Sequence, residues 1–226
     1  MTDKHTLPNG SQIRIIEGLI SSGKSTLIRS LETSPAVREF FDDVVAFSEP
    51  IKQRTFEAYL SDQRRYAYSF QTNTALKRIQ MRKDAKRVAL EKPRRLVLID
   101  RGLDGDQAFA LSQLRLGLMD QADFSLYQEE IGVDDGSLEQ LQEEPGFRVV
   151  YLKCSPLTSW ARTLKRGNVS ETATYDENYM ETLFEAHEEM MEKNPLVLVK
   201  DWDEPRAVIN GVLSDAEVRA YLTSTL

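Results

Sequence analysis

The residues best placed to do chemistry open the chain. Residues 18–25 read G-L-I-S-S-G-K-S and fit the pattern G-x-x-x-x-G-K-[ST]. A triphosphate carries clustered negative charge, so a loop that holds it must bring backbone N–H groups close to its oxygens. Gly18 and Gly23 permit that approach, with Leu19, Ile20, Ser21 and Ser22 forming the span between them. Thr26 and the apolar Leu27, Ile28 and Leu31 continue as a helix, whose N-terminus adds unpaired N–H donors and a positive dipole end. In such a loop Lys24 reaches the β- and γ-phosphates and the Ser25 hydroxyl ligates Mg²⁺.

Further candidates follow other short apolar runs. Glu49, in S-E-P, comes directly after V-V-A-F and reads either as a reacting carboxylate or as an acid at a helix start. Asp100 ends L-V-L-I-D, where a second acid would help hold Mg²⁺, and Arg101 comes next. Asp104 and Asp106 read alternatively as solvated acids of a first helical turn. In the basic stretch 64–95, Gln71 and Arg78 share one helix face, with Tyr66, Tyr68 and Phe70 nearby. A glutamine and an arginine on an inward face would read the edge of a nucleobase; on an outward face they are ordinary solvated groups. Arg162 and Arg166 lie one turn apart before Gly167, a spacing that suits clamping of a transferring phosphoryl group and equally suits two surface arginines. His187 reads as a surface or packing histidine, and His5 lies in the N-terminal tail. Two histidines and one cysteine, Cys154, leave no zinc site or Cys/His nucleophile pair to expect.

These residues need a frame. The apolar runs 13–16, 44–47, 96–99, 149–152 and 196–199 are short and rich in Val, Ile and Leu, and long helix-prone segments separate them. That alternation predicts an α/β fold: a parallel five-stranded sheet with helices on both faces and the site at the carboxyl edge of the strands. Helices are expected over 64–95, 120–135, the stretch after Ser155-Pro156, 179–191 and 215–222. An acidic loop is expected over 139–146 and a loop over 201–205, which could lie above a bound base. The 226 residues suit one domain spanning 1–226. The net charge of −7 disfavours a nucleic-acid polymer or an anionic membrane as partner. No stretch approaches the ~18 apolar residues of a membrane-crossing helix, and residues 1–10 lack a signal-peptide core. A single cysteine excludes an intrachain disulfide and fits a reducing, cytoplasmic setting.

Among phosphate-loop proteins, a guanine-reading switch would carry N/T-K-x-D, which is absent, and a large ATPase motor would usually be longer. A small kinase fits better. The chain resembles the deoxynucleoside kinases of the deoxycytidine, deoxyguanosine and deoxyadenosine kinase type. The resemblance rests on I-E-G-x-x-x-x-G-K-S-T from Ile16, S-E-P-I from Ser48 and F-Q-T-x-x-x-x-x-R from Phe70. It continues through D-R-G-x-x-x-D-x-x-F-A from Asp100, where the family usually has E-R-S, then Tyr127-Gln128, Y-L-K-C-S-P…R-x-x-x-R-G from Tyr151, and H-E-E from His187. It implies a P-loop kinase fold with a helical lid at about 162–172, and transfer of the γ-phosphoryl of ATP, with Mg²⁺, to the 5′-hydroxyl of a deoxyribonucleoside. It implies Glu49 as the base that takes the 5′-hydroxyl proton and Arg101 as the arginine that holds it. Asp100 stands where the family has a glutamate near Mg²⁺. Gln71 matches the base-pairing glutamine, and Arg78 with Asp106 matches a pair that shapes the base pocket and tilts the substrate toward purine deoxynucleosides or deoxycytidine. Tyr59 and Glu171 are candidates for the sugar 3′-hydroxyl, and Arg162 and Arg166 match lid arginines. Asn168 replaces a third lid arginine. A homodimer is expected by the same resemblance. A nucleoside-monophosphate kinase of the thymidylate kinase kind and a non-catalytic nucleotide-binding protein remain the rival readings.

Overall fold

Alternation along buried strands decides the architecture. The computed structural model describes residues 5–134, 136–194, 197–204, 206 and 208–225. Strands β1 (Gln12–Glu17), β2 (Asp43–Phe47), β3 (Arg95–Asp100), β4 (Phe147–Lys153) and β5 (Val197–Asp201) form one sheet in the order β2-β3-β1-β4-β5. Every pairing in it is parallel. Ile15 lies opposite Ile99 on one side and Val149 on the other, so three strand centres are in register. Successive side chains point to opposite faces. Ile13, Ile15, Val97, Ile99, Val149 and Tyr151 therefore share a core with Met81, Ala85 and Ala89 of helix 63–91 and Met191 of helix 177–193. Ile16, Leu96, Leu98, Val150 and Leu152 face Leu27, Ile28 and Leu31 of helix 24–33 and Val218 and Leu222 of helix 215–223. Burying each of these aliphatic side chains is worth about 1.5–3 kcal/mol, which is why two-sided apolar strands sit between helical layers.

The helices are α1 (Lys24–Thr33), α2 (Gln53–Ser61), α3 (Gln63–Glu91), α4 (Leu103–Arg115), α5 (Gln121–Ile131), α6 (Ser137–Gln142), α7 (Pro156–Arg166), α8 (Val169–Thr174), α9 (Glu177–Lys193) and α10 (Asp215–Thr223). A small antiparallel hairpin, β6 (Val208–Ile209) and β7 (Val212–Leu213), lies between β5 and α10. Local chemistry sets many of the boundaries. Asp62, Asp120, Ser155, Asn168, Asp176 and Ser214 each cap a helix by accepting a backbone N–H with the side chain. Gly132 and Gly167 end α5 and α7 in the left-handed conformation.

The five-stranded parallel sheet and its two helical layers match expectation, while several boundaries differ. The basic helix stops at Glu91 rather than 95, because Pro93 cannot continue it, and Arg95 opens β3 instead. The surface helix expected over 120–135 stops at Ile131, and residue 135 lies outside the described residues. The stretch 139–146, expected as an acidic loop, contains most of α6, because Leu138 packs against Ala75, Tyr127 and Ile131. Leu196 of the fifth run and Pro205 of the following loop also lie outside the described residues. Among the described residues no helix is long and apolar enough to cross a membrane.

Candidate active site

The carboxyl ends of β1, β2 and β3 open on a cleft of about 740 Å³. Its floor includes residues 20–27, Glu49, Tyr59, Gln71, Arg78, Asp100, Arg101 and Asp106, and its far rim carries Arg162, Arg166 and Glu171. Gly18 and Leu19 lie beneath it: Leu19 is fully buried in the core. A Cβ on Gly18 would stand 2.8 Å from the Leu152 carbonyl oxygen, and its φ of +151° also favours glycine. Ser21 (φ +55°) and Gly23 (φ +107°) turn the loop into α1. Lys24 Nζ donates to the Gly18 and Leu19 carbonyls at 3.1 and 2.8 Å. Burial, then the Arg101 charge, lowers its pKa to about 8, so it stays cationic near neutrality. Ser25 Oγ donates to Asp100 Oδ2 at 3.2 Å, and Asp100 Oδ1 is buried without a partner among the described residues.

The opposite wall is a network of charges drawn from distant segments. Glu49 Oε1 accepts from Arg78 Nη2 at 2.8 Å and Arg101 Nε at 3.0 Å. Burial alone would raise this carboxyl. The Arg78, Arg101 and Lys24 charges outweigh burial and hold its pKa down at about 2. Arg78 donates further to Asp106 Oδ1 at 3.0 Å and to the Arg101 carbonyl at 3.0 Å. It is thus committed to Glu49 and to protein backbone as well as to Asp106, a wider role than its sequence position suggests. Tyr127 donates to Asp106 Oδ2 at 3.1 Å from α5.

Arg101 occupies a strained turn at φ +68°. The turn is held by Glu17, fully buried, whose Oε1 accepts from the Gly102 and Gly105 N–H groups at 2.6 and 3.1 Å. Burial pushes the Glu17 carboxyl up, against the pull of Arg101 and these N–H groups. A Cβ on Gly102 would meet Ile15 Cγ2 at 2.7 Å and Glu17 Oε1 at 3.2 Å, which explains glycine where a serine is usual.

Gln71 Nε2 donates to the Asp106 carbonyl at 3.0 Å, and Gln71 Oε1 accepts from Gln113 Nε2 at 3.2 Å. A carbonyl can only accept, so the amide orientation of Gln71 is fixed, and Gln113 must present its nitrogen. Gln113 Nε2 also donates to the Tyr59 hydroxyl at 3.0 Å, and the Tyr59 ring stacks on Phe70 at 4.6 Å. Sequence reasoning missed Gln113 and gave Phe109 no role beyond its place in the motif that starts at Asp100. Both lie on one face of α4 with Asp106, at i+7 and i+3, and that periodicity was the available signal.

At the rim, Arg166 pairs with Glu171, and Arg162 donates to the Ser22 and Trp202 carbonyls at 3.0 Å each. Asn168 has a structural job: its Oδ1 caps α8 by accepting the Glu171 N–H. Trp202, one residue past β5, sits over the loop and would lie 3.0 Å from a Cβ on Gly23; the Arg206 guanidinium stacks on it at 3.8 Å.

Solved structures share this fold. A deoxyadenosine kinase from M. mycoides with bound dATP superposes with a TM-score of 0.71 at 23% identity, covering 95% of this chain and 98% of that one. The M. mycoides deoxyadenosine kinase with bound dCTP gives a TM-score of 0.68 at 22% identity, covering 94% and 97%. No curated protein matches the chain by sequence. The family model described as deoxynucleoside kinase matches residues 15–217, nearly the whole of the sheet and both helical layers, and the chain belongs to the deoxynucleoside kinase family.

Proposed function

We propose that this kinase moves the γ-phosphoryl group of ATP onto the 5′-hydroxyl of a purine deoxynucleoside or deoxycytidine, with deoxyadenosine the first expectation. The observation that carries the reading is Glu49. One of its oxygens is claimed by two arginines, while the side chain, about one-third exposed (34%), faces the cleft that the phosphate loop shares. A carboxylate whose pKa is held at about 2 is ionised throughout the working range, so its other oxygen is always ready to take the 5′-hydroxyl proton as the O–P bond forms. Arg101 fixes that carboxylate and offers charge to the 5′ end.

Residues 18–26 would cradle the triphosphate through backbone N–H groups and Lys24. Mg²⁺ would be held by Ser25 and Asp100. The hydroxyl and carboxylate lie 3.2 Å apart, and the buried, unpartnered Asp100 Oδ1 fits a cation that takes one or two protein oxygens plus phosphates and water. Bound there, Mg²⁺ would neutralise charge on the phosphate oxygens. Gln71 lines the cleft with an amide that is bonded to Asp106 and Gln113, and it would pair its donor and acceptor ends with an adenine or cytosine edge by exchanging those protein bonds for the base. The M. mycoides deoxyadenosine kinase, which shares the fold in both of its structures described above, puts deoxyadenosine first.

Residues 162–172 act as a lid in this reading. Arg162 and Arg166 stabilise the transferring charge, and Glu171 and Tyr59 serve the 3′-hydroxyl. The whole of 1–226 works as one domain and as a cytoplasmic homodimer. The exposed Leu76 of α3 and Leu126 of α5 support a subunit contact through the middle of the chain.

ADP release with Mg·ATP against the four deoxynucleosides and the four deoxynucleoside monophosphates tests the reading. Turnover on deoxyadenosine, deoxyguanosine or deoxycytidine supports it. Turnover on monophosphates alone moves Arg101 to a phosphate clamp, and silence with ATP bound leaves a non-catalytic nucleotide binder.

A further inference from the structure

We propose that His187 is a positioning residue: its Nε2 lone pair holds the Arg101 guanidinium in the orientation from which Arg101 holds Glu49. The inference rests on the reading of Glu49 as the base. His187 lies in the middle of α9 and is fully buried. Its Nδ1 stands 2.9 Å from the Leu183 carbonyl oxygen, one turn earlier in the same helix. A carbonyl oxygen only accepts, so Nδ1 carries the ring proton and Nε2 presents a lone pair. That nitrogen lies 3.2 Å from Arg101 Nη1 and accepts from it.

The guanidinium is a rigid planar fork, so fixing one arm fixes the direction of the others. From the same fork, Nε donates to Glu49 Oε1 at 3.0 Å. Phe109 completes the seat: the guanidinium lies over its ring at 4.7 Å, and the same ring meets His187 edge-on at 5.7 Å. Tyr151 also stacks on the imidazole, with ring centroids 6.3 Å apart. Arg101 needs such a seat because its own backbone is strained. Burial first, and the Arg101 charge next, lower the His187 pKa to about 3, so the ring stays an acceptor across the working range. A histidine that sequence alone reads as a surface or packing residue is thereby tied to the catalytic carboxylate through an arginine 86 residues earlier in the chain.

His187→Phe keeps the ring and removes the acceptor. His187→Gln can place an amide oxygen near the position of Nε2. In the full chain, His187→Phe is expected to lower kcat about tenfold while KM for Mg·ATP stays within about twofold, and His187→Gln to recover most of that loss. ¹⁵N NMR of the wild-type imidazole is expected to show a protonated Nδ1 and a bare Nε2 from pH 5 to 8. A protonated Nε2, an unchanged kcat in His187→Phe, or equal loss in both variants would overturn the proposal. Should His187→Phe fail to fold, the tautomer and the Gln variant decide it. A wild-type chain silent on every deoxynucleoside would overturn the kinase reading alone, because the NMR result does not depend on turnover.

Discussion

One wall of the cleft comes from a single stretch, residues 20–27, while the wall facing it draws Glu49 from beyond β2, Gln71 and Arg78 from α3, Arg101 from the β3–α4 turn and Asp106 from α4, with Tyr127 of α5 behind Asp106. The first wall works through backbone geometry. Its N–H groups point where the left-handed residues Ser21 and Gly23 turn them, and its weak point is any side chain that crowds the backbone. The second works through side-chain charge. Glu49, Arg78, Asp106, Arg101 and Glu17 are held by one another, so a change at one member spreads to the rest. The difference teaches that donor and acceptor recognition should fail in different ways, and substitutions can test that.

The largest effect is expected at Glu49. Glu49→Gln should lower kcat roughly 10²–10⁴-fold while leaving the deoxynucleoside Kd nearly intact, since it removes the proposed proton acceptor and keeps the shape. An unchanged kcat would break the comparison, because the charge network would then serve binding only. Gly18→Ala should strike the other wall through sterics. The new Cβ would meet the Leu152 carbonyl, and a loss of roughly 2–3 kcal/mol of stability together with Mg·ATP binding is expected from urea unfolding and ATP titration. Stable, fully ATP-competent protein would show that the phosphate wall is less rigid than its geometry implies.

Gln71→Ala should raise KM for the deoxynucleoside about tenfold and leave KM for ATP unchanged. An effect on ATP instead would place Gln71 on the wrong wall.

The smallest effect belongs to Asp104, buried behind the second wall. Burial first, and the neighbouring Glu17 next, raise its pKa to about 7 from an ordinary value near 4. Between those values the folded chain holds a proton that the unfolded chain releases, so stability falls as pH rises toward 7. Asp104→Asn cannot ionise. It should be more stable than the parent by about 1 kcal/mol at pH 8, with the advantage vanishing near pH 4. A constant difference across that range would mean that Asp104 does not titrate there.

Legibility in the sequence follows the same division. The phosphate loop, the five strands and the strand-end positions of Glu49 and Asp100 were readable because each depends on neighbours a few residues away. Arg78 was readable as part of a pair with Asp106 but not as a holder of Glu49, because that contact depends on β2 lying beside β3. Asn168 looked like a missing arginine and proved to be a helix cap, a role fixed by where α8 begins. Gln113 carried a periodic signal too faint to separate it from the polar residues around it.

By itself, then, the chain determined a parallel α/β sheet, a glycine-rich loop of phosphate-binding pattern and a set of acids and arginines at strand ends, since buried runs, glycine spacing and helix periodicity are local properties of the polypeptide. Only the tertiary structure decided which of those groups touch. The order β2-β3-β1-β4-β5, and the α9 helix laid against α4, bring Glu49, Arg78, Arg101 and His187 within hydrogen-bond reach across separations that no spacing rule spans. At such distances along the chain, the strength of an ion pair is set by packing and by the exclusion of water.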